Sequence, residues 1–270
     1  RAVCFRFGPQ LEWAACYNPD RFAFEYVWKG KFVKFSSVRH GYMDGMRIAG
    51  TEQPLPPNAG PAPESLSLPA GSLPKYLGYR IFEDQVLFEF SVGETIYVDQ
   101  LRMEKGVPVR SLVSSERLPA PSIRNGGKPH WLRALETNIE YGKGKGYVVD
   151  TISIPSENPW NVQLSCGDHA FLSDGTAIVA TIQGDVFRVE GVSIVNGSTS
   201  TNKATWRRIA AGLHHALGVH VHEDAIYVLG RNQITRLHDL NGDHEIDWYE
   251  CFSKAFDTSP NGHDYICGLV

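Results

Sequence analysis

No stretch of the sequence reaches the roughly 18 consecutive apolar residues that a helix needs to cross a bilayer, so no helical membrane span is expected. A strong excess of charge of either sign is also missing. Thirty acidic against 26 basic side chains leave a formal net charge of −4, which gives no reason to expect nucleic acid or an anionic membrane as a partner. There is no Cys-X-X-Cys and no Cys-X-X-Cys-His, which argues against covalently held c-type haem and against a compact thiolate zinc site within this chain. His-Glu-X-X-His does not occur, and Ser165, Ser173 and Ser259 lack the setting of a nucleophile elbow, so a serine hydrolase has little support. Helical periodicity is scarce. The best stretch is 204–217, and a weaker one covers 130–140.

Strand signals are plentiful. Runs at 22–28 and 31–35 are rich in aromatics and are separated by a Lys-Gly turn, and runs at 79–82, 86–90 and 95–100 form a punctuated meander. The segment 47–74 is crowded with Pro, Gly, Ser and Ala and reads as a long covering loop. A second break falls at Tyr141-Gly-Lys-Gly-Lys-Gly146 and at 155–159. A length of 270 residues suits two domains, and the breaks divide them into a β-rich N-terminal domain, 1–156, of no readable function and a C-terminal domain, 157–270. Aromatic residues make up 11 %, with six Trp, enough for aromatic-lined sheets or a ligand surface. Five cysteines are present. Cys4/Cys16 and Cys251/Cys267 are close enough in sequence to form short disulfide loops, leaving Cys166 unpaired, and five thiols in a reducing compartment fit the count equally well.

Beyond residue 157 the rhythm changes to short meanders. One runs through 170–172, 177–181 and 186–190, with turns at Ser173-Asp-Gly-Thr176 and Gln183-Gly-Asp185. Another runs through 218–221, 225–229 and 233–238, with turns at Glu223-Asp224 and Arg231-Asn232. Ile178 aligns with Ile226, 48 residues on, within the roughly 40–50-residue period of β-propeller blades. The expected fold is therefore all-β, an N-terminal β-rich domain followed by blades of an incomplete propeller, with a β-sandwich or another all-β arrangement as the alternative.

The sharpest local motif is Asp239-Leu-Asn-Gly-Asp-His-Glu-Ile-Asp-Trp-Tyr-Glu250. With Asp239 as position 1, Asn241, Asp243, Glu245, Asp247 and Glu250 occupy positions 3, 5, 7, 9 and 12, the oxygen spacing of an EF-type calcium loop. Calcium takes six to eight hard oxygens, and this many carboxylates repel one another without a cation. The departure is His244 at position 6, where glycine is usual, and a left-handed backbone there costs a non-glycine residue about 1 kcal/mol. The plainer reading is an acidic, solvent-facing Asx-type turn.

Among ten histidines, His169 and His214, with Arg231 and His263, stand just before or after strand pairs, where the loops of a propeller gather at one end of its channel. Histidine acts as a base near neutral pH and arginine clamps anions. Asp168 and Asp264 adjoin two of these histidines, and a structural or hydrogen-bonding role is the alternative for each one. His220 and His222 alternate on one strand face, which suits packing or surface roles better than a transition metal.

Four stretches carry a family resemblance: Gly167-Asp-His-Ala-Phe-Leu-Ser-Asp-Gly-Thr176, Gly184-Asp-Val-Phe-Arg-Val-Glu-Gly191, Ala211-Gly-Leu-His-His-Ala-Leu-Gly218, and Ile226 through Asp243. Together with Asn261-Gly-His-Asp-Tyr-Ile-Cys-Gly-Leu269, they resemble the propeller module of large secreted bacterial proteins similar to the glucose/sorbosone dehydrogenase family, many of which also carry a c-type haem domain. The first half is similar to an uncharacterised module that precedes such propellers. The resemblance implies a periplasmic or extracellular protein and a six-bladed ring, of which two blades are legible. On that reading the sequence is either a fragment or takes the remaining blades from another chain or another copy. It also implies calcium and pyrroloquinoline quinone as cofactors, with His169 or His263 as the base and Arg231 and His214 as contacts of the quinone or substrate. A cytochrome c-type electron acceptor would complete that chemistry. The competing reading is a non-catalytic, calcium-stabilised module for carbohydrate or protein binding, or for assembly, within a larger secreted protein.

Overall fold

Apolar side chains at every second position become strands in both halves of the chain, and with 48 % strand and 4 % helix the protein is all-β, as the strand-dense sequence leads one to expect. The computed structural model describes residues 2–34, 46–66, 68, 71–117, 121–192, 202–258 and 265–269. These form two compact units. Among the described residues, the first comprises those up to Lys128 with Asp247–Cys251, and the second the rest. Among the described residues no helix is long and apolar enough to cross a membrane.

The first unit contains β1 (Val3–Phe7), β2 (Trp13–Asn18), β3 (Ala23–Lys29), β4 (Val33–Lys34), β5 (Arg47–Ile48), β6 (Thr51–Gln53), the single-turn helix α1 (Ala62–Ser65), β7 (Lys75–Phe82), β8 (Gln85–Val92), β9 (Thr95–Glu104) and β10 (Val107–Ser114). One antiparallel sheet has the order β1-β2-β3-β6, and a meander has the order β10-β9-β8-β7. Both faces of the first sheet are covered. On one, Phe5, Tyr17 and Phe24 meet Phe88 of β8, with the Tyr17 and Phe88 rings stacked at 3.9 Å between centroids. Each fully buried ring of this kind stabilises the fold by about 1.5–3 kcal/mol through removal from water. On the other face Ala14, Cys16 and Trp28 pack with Cys4, Phe32, Val33 and Ile48, so the β4–β5 ribbon acts as a cover.

The Pro/Gly-rich segment after β6 is a cover too, with only α1 as regular structure among its described residues. Arg110 of β10 holds it. Its guanidinium pairs with Asp99 at 2.7 and 2.5 Å and donates to the carbonyls of Gly60 (2.6 Å), Phe22 (3.1 Å) and Asn58. The two side chains are almost wholly out of water, at 2 % and 0 % exposure, so each charge depends on the other.

The second unit contains β11 (Ala134–Glu140), β12 (Thr151–Ile152), β13 (Cys166–Phe171), β14 (Ala177–Thr181), β15 (Val186–Glu190), β16 (Lys203–Ala210), β17 (Gly218–His222), β18 (Ala225–Leu229) and β19 (Ile234–His238). Strands β13 to β16 form an antiparallel four-stranded blade, extended at its β16 side by β11 and β12. The next meander is β17-β18-β19. The blade core is Ala177, Phe187, Val189, Ala204 and Trp206, with Ile139 of β11. The chain then returns to the first unit as β20 (Trp248–Ser253), where Trp248, Tyr249 and Glu250 pair with Arg80, Tyr79 and Gly78 of β7.

Two expectations are corrected. Residues 204–217 are not helical: β16 occupies 203–210 and is followed by a loop. Alternation buries Ala204 and Trp206, and an irregularity opposite Val186/Phe187 leaves Ile209 as an extra residue, so that Ile209 and Ala210 are both buried. That doublet mimics helical spacing. The weaker helical stretch, 130–140, is β11 from Ala134 onward, antiparallel to β16. Tight approach is visible at Gly184, in the β14–β15 turn. Its φ is +97°, and a Cβ there would lie 1.5 Å from the Leu213 carbonyl oxygen.

Candidate functional site

Within the second unit, an open cleft of about 490 Å³ lies between the β13–β16 blade and the β17–β19 meander. Its apolar lining is Ile178, Ile209, Ile226, Leu237 and Ile246, and its polar rim includes Ser173, Asp174, Arg188, Asp224, Arg236, Asp239 and His244. The turns build this rim. Asp224, from the β17–β18 turn, accepts the Ser173 N–H (2.7 Å) and hydroxyl (2.6 Å) across the cleft mouth. Those bonds hold its carboxyl below the usual range. Asp174 accepts the Thr176 N–H at 2.8 Å and a bond from Arg188 at 3.1 Å, and its pKa is lowered first by Thr176 and then by Arg188. Both carboxylates therefore stay ionised and positioned to accept hydrogen bonds. The Arg236 guanidinium lies 5.6 Å from the Tyr227 ring centroid.

The loop 239–246 forms one wall of the cleft, tied down where the Ile246 N–H donates to the Ile209 carbonyl at 2.9 Å. It is a chain of Asx-type bonds. Asp239 accepts the N–H groups of Gly242 (2.7 Å) and His244 (2.9 Å), Asn241 accepts that of Asp243 (3.0 Å), and Asp243 accepts that of Glu245 (2.9 Å). His244 has φ +71°, the left-handed backbone that position 6 of a calcium loop requires. Glu245 turns its carboxylate elsewhere, accepting the N–H of His130 (2.8 and 2.9 Å), the N–H of Trp131 (2.9 Å) and facing His130 Nδ1 (2.8 Å). Asp247 and Glu250 belong to the first unit, where the Asp247 carboxylate accepts the Gly127 N–H at 2.8 Å and Glu250 is a β20 residue opposite Gly78. The loop thus has the turn of an EF-type site. Its carboxylates are engaged with backbone donors, and among the described residues no group of three or more His, Cys, Asp or Glu is gathered to hold a metal.

Of the histidine and arginine candidates, two come together. The Arg231 N–H donates to the His214 carbonyl at 2.7 Å, and the Arg231 carbonyl accepts the Thr258 hydroxyl at 3.0 Å. His215 lies against His214, 4.4 Å between ring centroids, and Tyr265 is 5.6 Å from His215. Desolvation first, then His215 and Arg231, lower the His214 pKa to about 4, although the residue keeps more than a third of its surface in contact with solvent. His169 stands apart from the cleft lining, exposed on β13 with its ring edge-on to Phe171 at 5.6 Å. The adjacent Asp168 binds the backbone, accepting the N–H of His169 and of Val219, both at 2.8 Å, which ties β13 to β17. His263 lies outside the described residues.

The cleft residues Ser173, Asp174, Arg188, Asp224 and Arg236 were not singled out from sequence, although a signal existed. Both meanders place an acidic turn at the same step of the repeat, 173–176 in one and 223–224 in the other.

A family model described as a domain of unknown function (DUF6797) matches residues 15–99, which lie in the first unit. No curated protein matches the chain, and no solved structure does.

Proposed function

We propose that the protein is a non-catalytic binding module of a larger secreted protein, and that its second unit takes a hydroxyl-rich ligand of the carbohydrate class in the cleft between the two meanders. One observation carries the reading. An apolar floor of Ile178, Ile209, Ile226, Leu237 and Ile246 is rimmed by the ionised carboxylates of Asp174 and Asp224 and the Arg188 guanidinium, all held by hydrogen bonds, and such a surface accepts C–H faces and hydroxyls together. Calcium enters as a stabiliser of the 239–246 wall. Asp239, Asn241, Asp243 and the Glu245 carbonyl are the oxygens that would hold it, with hard-ion coordination as its contribution. In support stand the ligand spacing and the left-handed His244. Titration of a soluble oligosaccharide panel by calorimetry tests the cleft. Saturable binding that falls about tenfold in Asp224→Ala is expected, because the rim clasp and an acceptor are lost together. Binding that Asp224→Ala and Arg236→Ala leave unchanged overturns it.

A second reading rests on the main-chain hydrogen bond between Arg231 and His214 and on the electrostatic influence of Arg231 on the His214 ring. There the chain is a quinone-dependent oxidoreductase acting on a sugar or polyol, with neutral His214 as proton acceptor and Arg231 facing an anionic quinone. Bound pyrroloquinoline quinone would supply the oxidising power. Dye-linked sugar oxidation after loading with calcium and the quinone, abolished in Arg231→Ala, would favour it over the binding module.

A further inference from the structure

Cys4 and Cys16 are directly opposite each other in the β1–β2 ladder, and both side chains sit in the small cluster under the β4–β5 ribbon with Trp28 and Phe32. Cross-strand partners on one face bring their Cβ atoms to about 4.5–5.5 Å, close to what a disulfide spans. The other cysteines offer no such placement: Cys166 and Cys267 are exposed, and Cys251 is half-buried on β20. The two thiols also contact each other by a hydrogen bond. Cys4 is half-buried and Cys16 buried, so a reagent in solution meets Cys4 first.

We infer that Cys4 and Cys16 form a redox modification site, closing a cross-strand disulfide that fastens the edge strand β1 to β2. The inference is independent of the ligand proposed for the cleft. The hydrogen bond from Cys16 holds the Cys4 thiol below its ordinary pKa, partly opposed by burial, and raises that of Cys16, which assigns the first attack to Cys4. The Cys4 thiolate attacks a low-molecular-weight or protein disulfide, forming a mixed disulfide and releasing one thiol. Cys16, giving up its proton to solvent, attacks the Cys4 sulfur and expels the second thiol. Two protein thiols are oxidised and one external disulfide is reduced to two thiols. Among the described residues β1 is the outermost strand of its sheet, with β2 as its hydrogen-bonded neighbour, so a covalent tie there opposes fraying beneath the aromatic core.

The test is to equilibrate the whole chain with oxidised glutathione, quench with acid, unfold, alkylate and digest with trypsin. Cleavage after Arg1, Arg6 and Arg21 separates 2–6 from 7–21, so the disulfide appears as these two peptides joined. The expected result is that joined species as the dominant form, with the other three cysteines alkylated or carrying glutathione. Recovery of Cys4 and Cys16 on separate peptides, or Cys4 joined to another cysteine, overturns the inference. The oxidised chain should also melt about 5 °C above the reduced one. Cys4→Ala should abolish that difference, and should the variant fail to fold, the wild-type peptide map decides alone.

Discussion

Each unit holds a charge pair largely out of water, Asp99–Arg110 in the first and Asp185–Arg208 in the second, but the second also sets acids at exposed turns. In the first, Asp99 and Arg110 are sealed beneath a strap of chain, with the Arg110 guanidinium 5.6 Å from the Phe24 ring centroid, and spend almost no contact on solvent. In the second, acids stand at turns and hold backbone N–H groups around an open cleft, as Asp224 does for Ser173 and Asp239 for His244. A buried pair of the first kind is rigid because neither charge can be rehydrated without opening the unit. Acids of the second kind keep lone pairs facing water, which is what a ligand rim needs.

Removing half of the sealed pair should have the largest effect. Asp99→Ala leaves the Arg110 guanidinium buried and uncompensated, and is expected to cost about 3–5 kcal/mol in urea unfolding. A loss near that of an ordinary surface change would break the comparison. Next comes a purely steric contrast between the units. Gly184→Ala must move backbone at Leu213 and adopt a left-handed φ, at a cost of about 3 kcal/mol, whereas Gly93→Ala, also at positive φ but in open space, should cost about 1 kcal/mol. Equal melting temperatures for the two variants would show that the β14–β15 turn yields. Glu245→Ala removes the acceptor of two backbone N–H groups before β11 and should cost about 2 kcal/mol, read by hydrogen exchange at His130 and Trp131.

The smallest effect is on pH dependence. His214 has a folded pKa of about 4 against an ordinary 6.5, so between these values the unfolded chain binds more protons and stability rises with pH. The contribution is whole above about pH 6.5 and is lost as pH falls toward 4. His214→Gln should therefore narrow the difference between urea midpoints measured at pH 5 and pH 7. An unchanged difference would assign the slope to other groups.

Much of the strand layout was legible because alternation survives in the sequence wherever one face is buried. The runs at 79–100 and the meanders at 177–190 and 218–238 appear as β7 to β9, β14, β15 and β17 to β19. The strand at 203–210 was hidden, since its bulge at Ile209 replaces a period of two with a local doublet that looks helical. Strand β11 was hidden too. Its alternation, with Leu135 and Thr137 half-buried and Ile139 buried, has meaning only beside β16. For the candidate site, spacing alone identified the 239–250 loop and the left-handed demand on His244, but not that Glu245 would turn to His130 and Trp131, more than a hundred residues earlier.

By itself, then, the sequence determined the all-β class, the repeat of short meanders and the turn chemistry of the acidic loops, since each depends on neighbours within a few residues. Only the tertiary structure decided that Asp99 meets Arg110 under the strap, that Cys4 faces Cys16, that His214 joins Arg231 while His169 stands apart, and that two acidic turns share one cleft. These are pairings between distant segments. They are set by strand register and by which face each strand buries, and local composition carries no record of a partner's register.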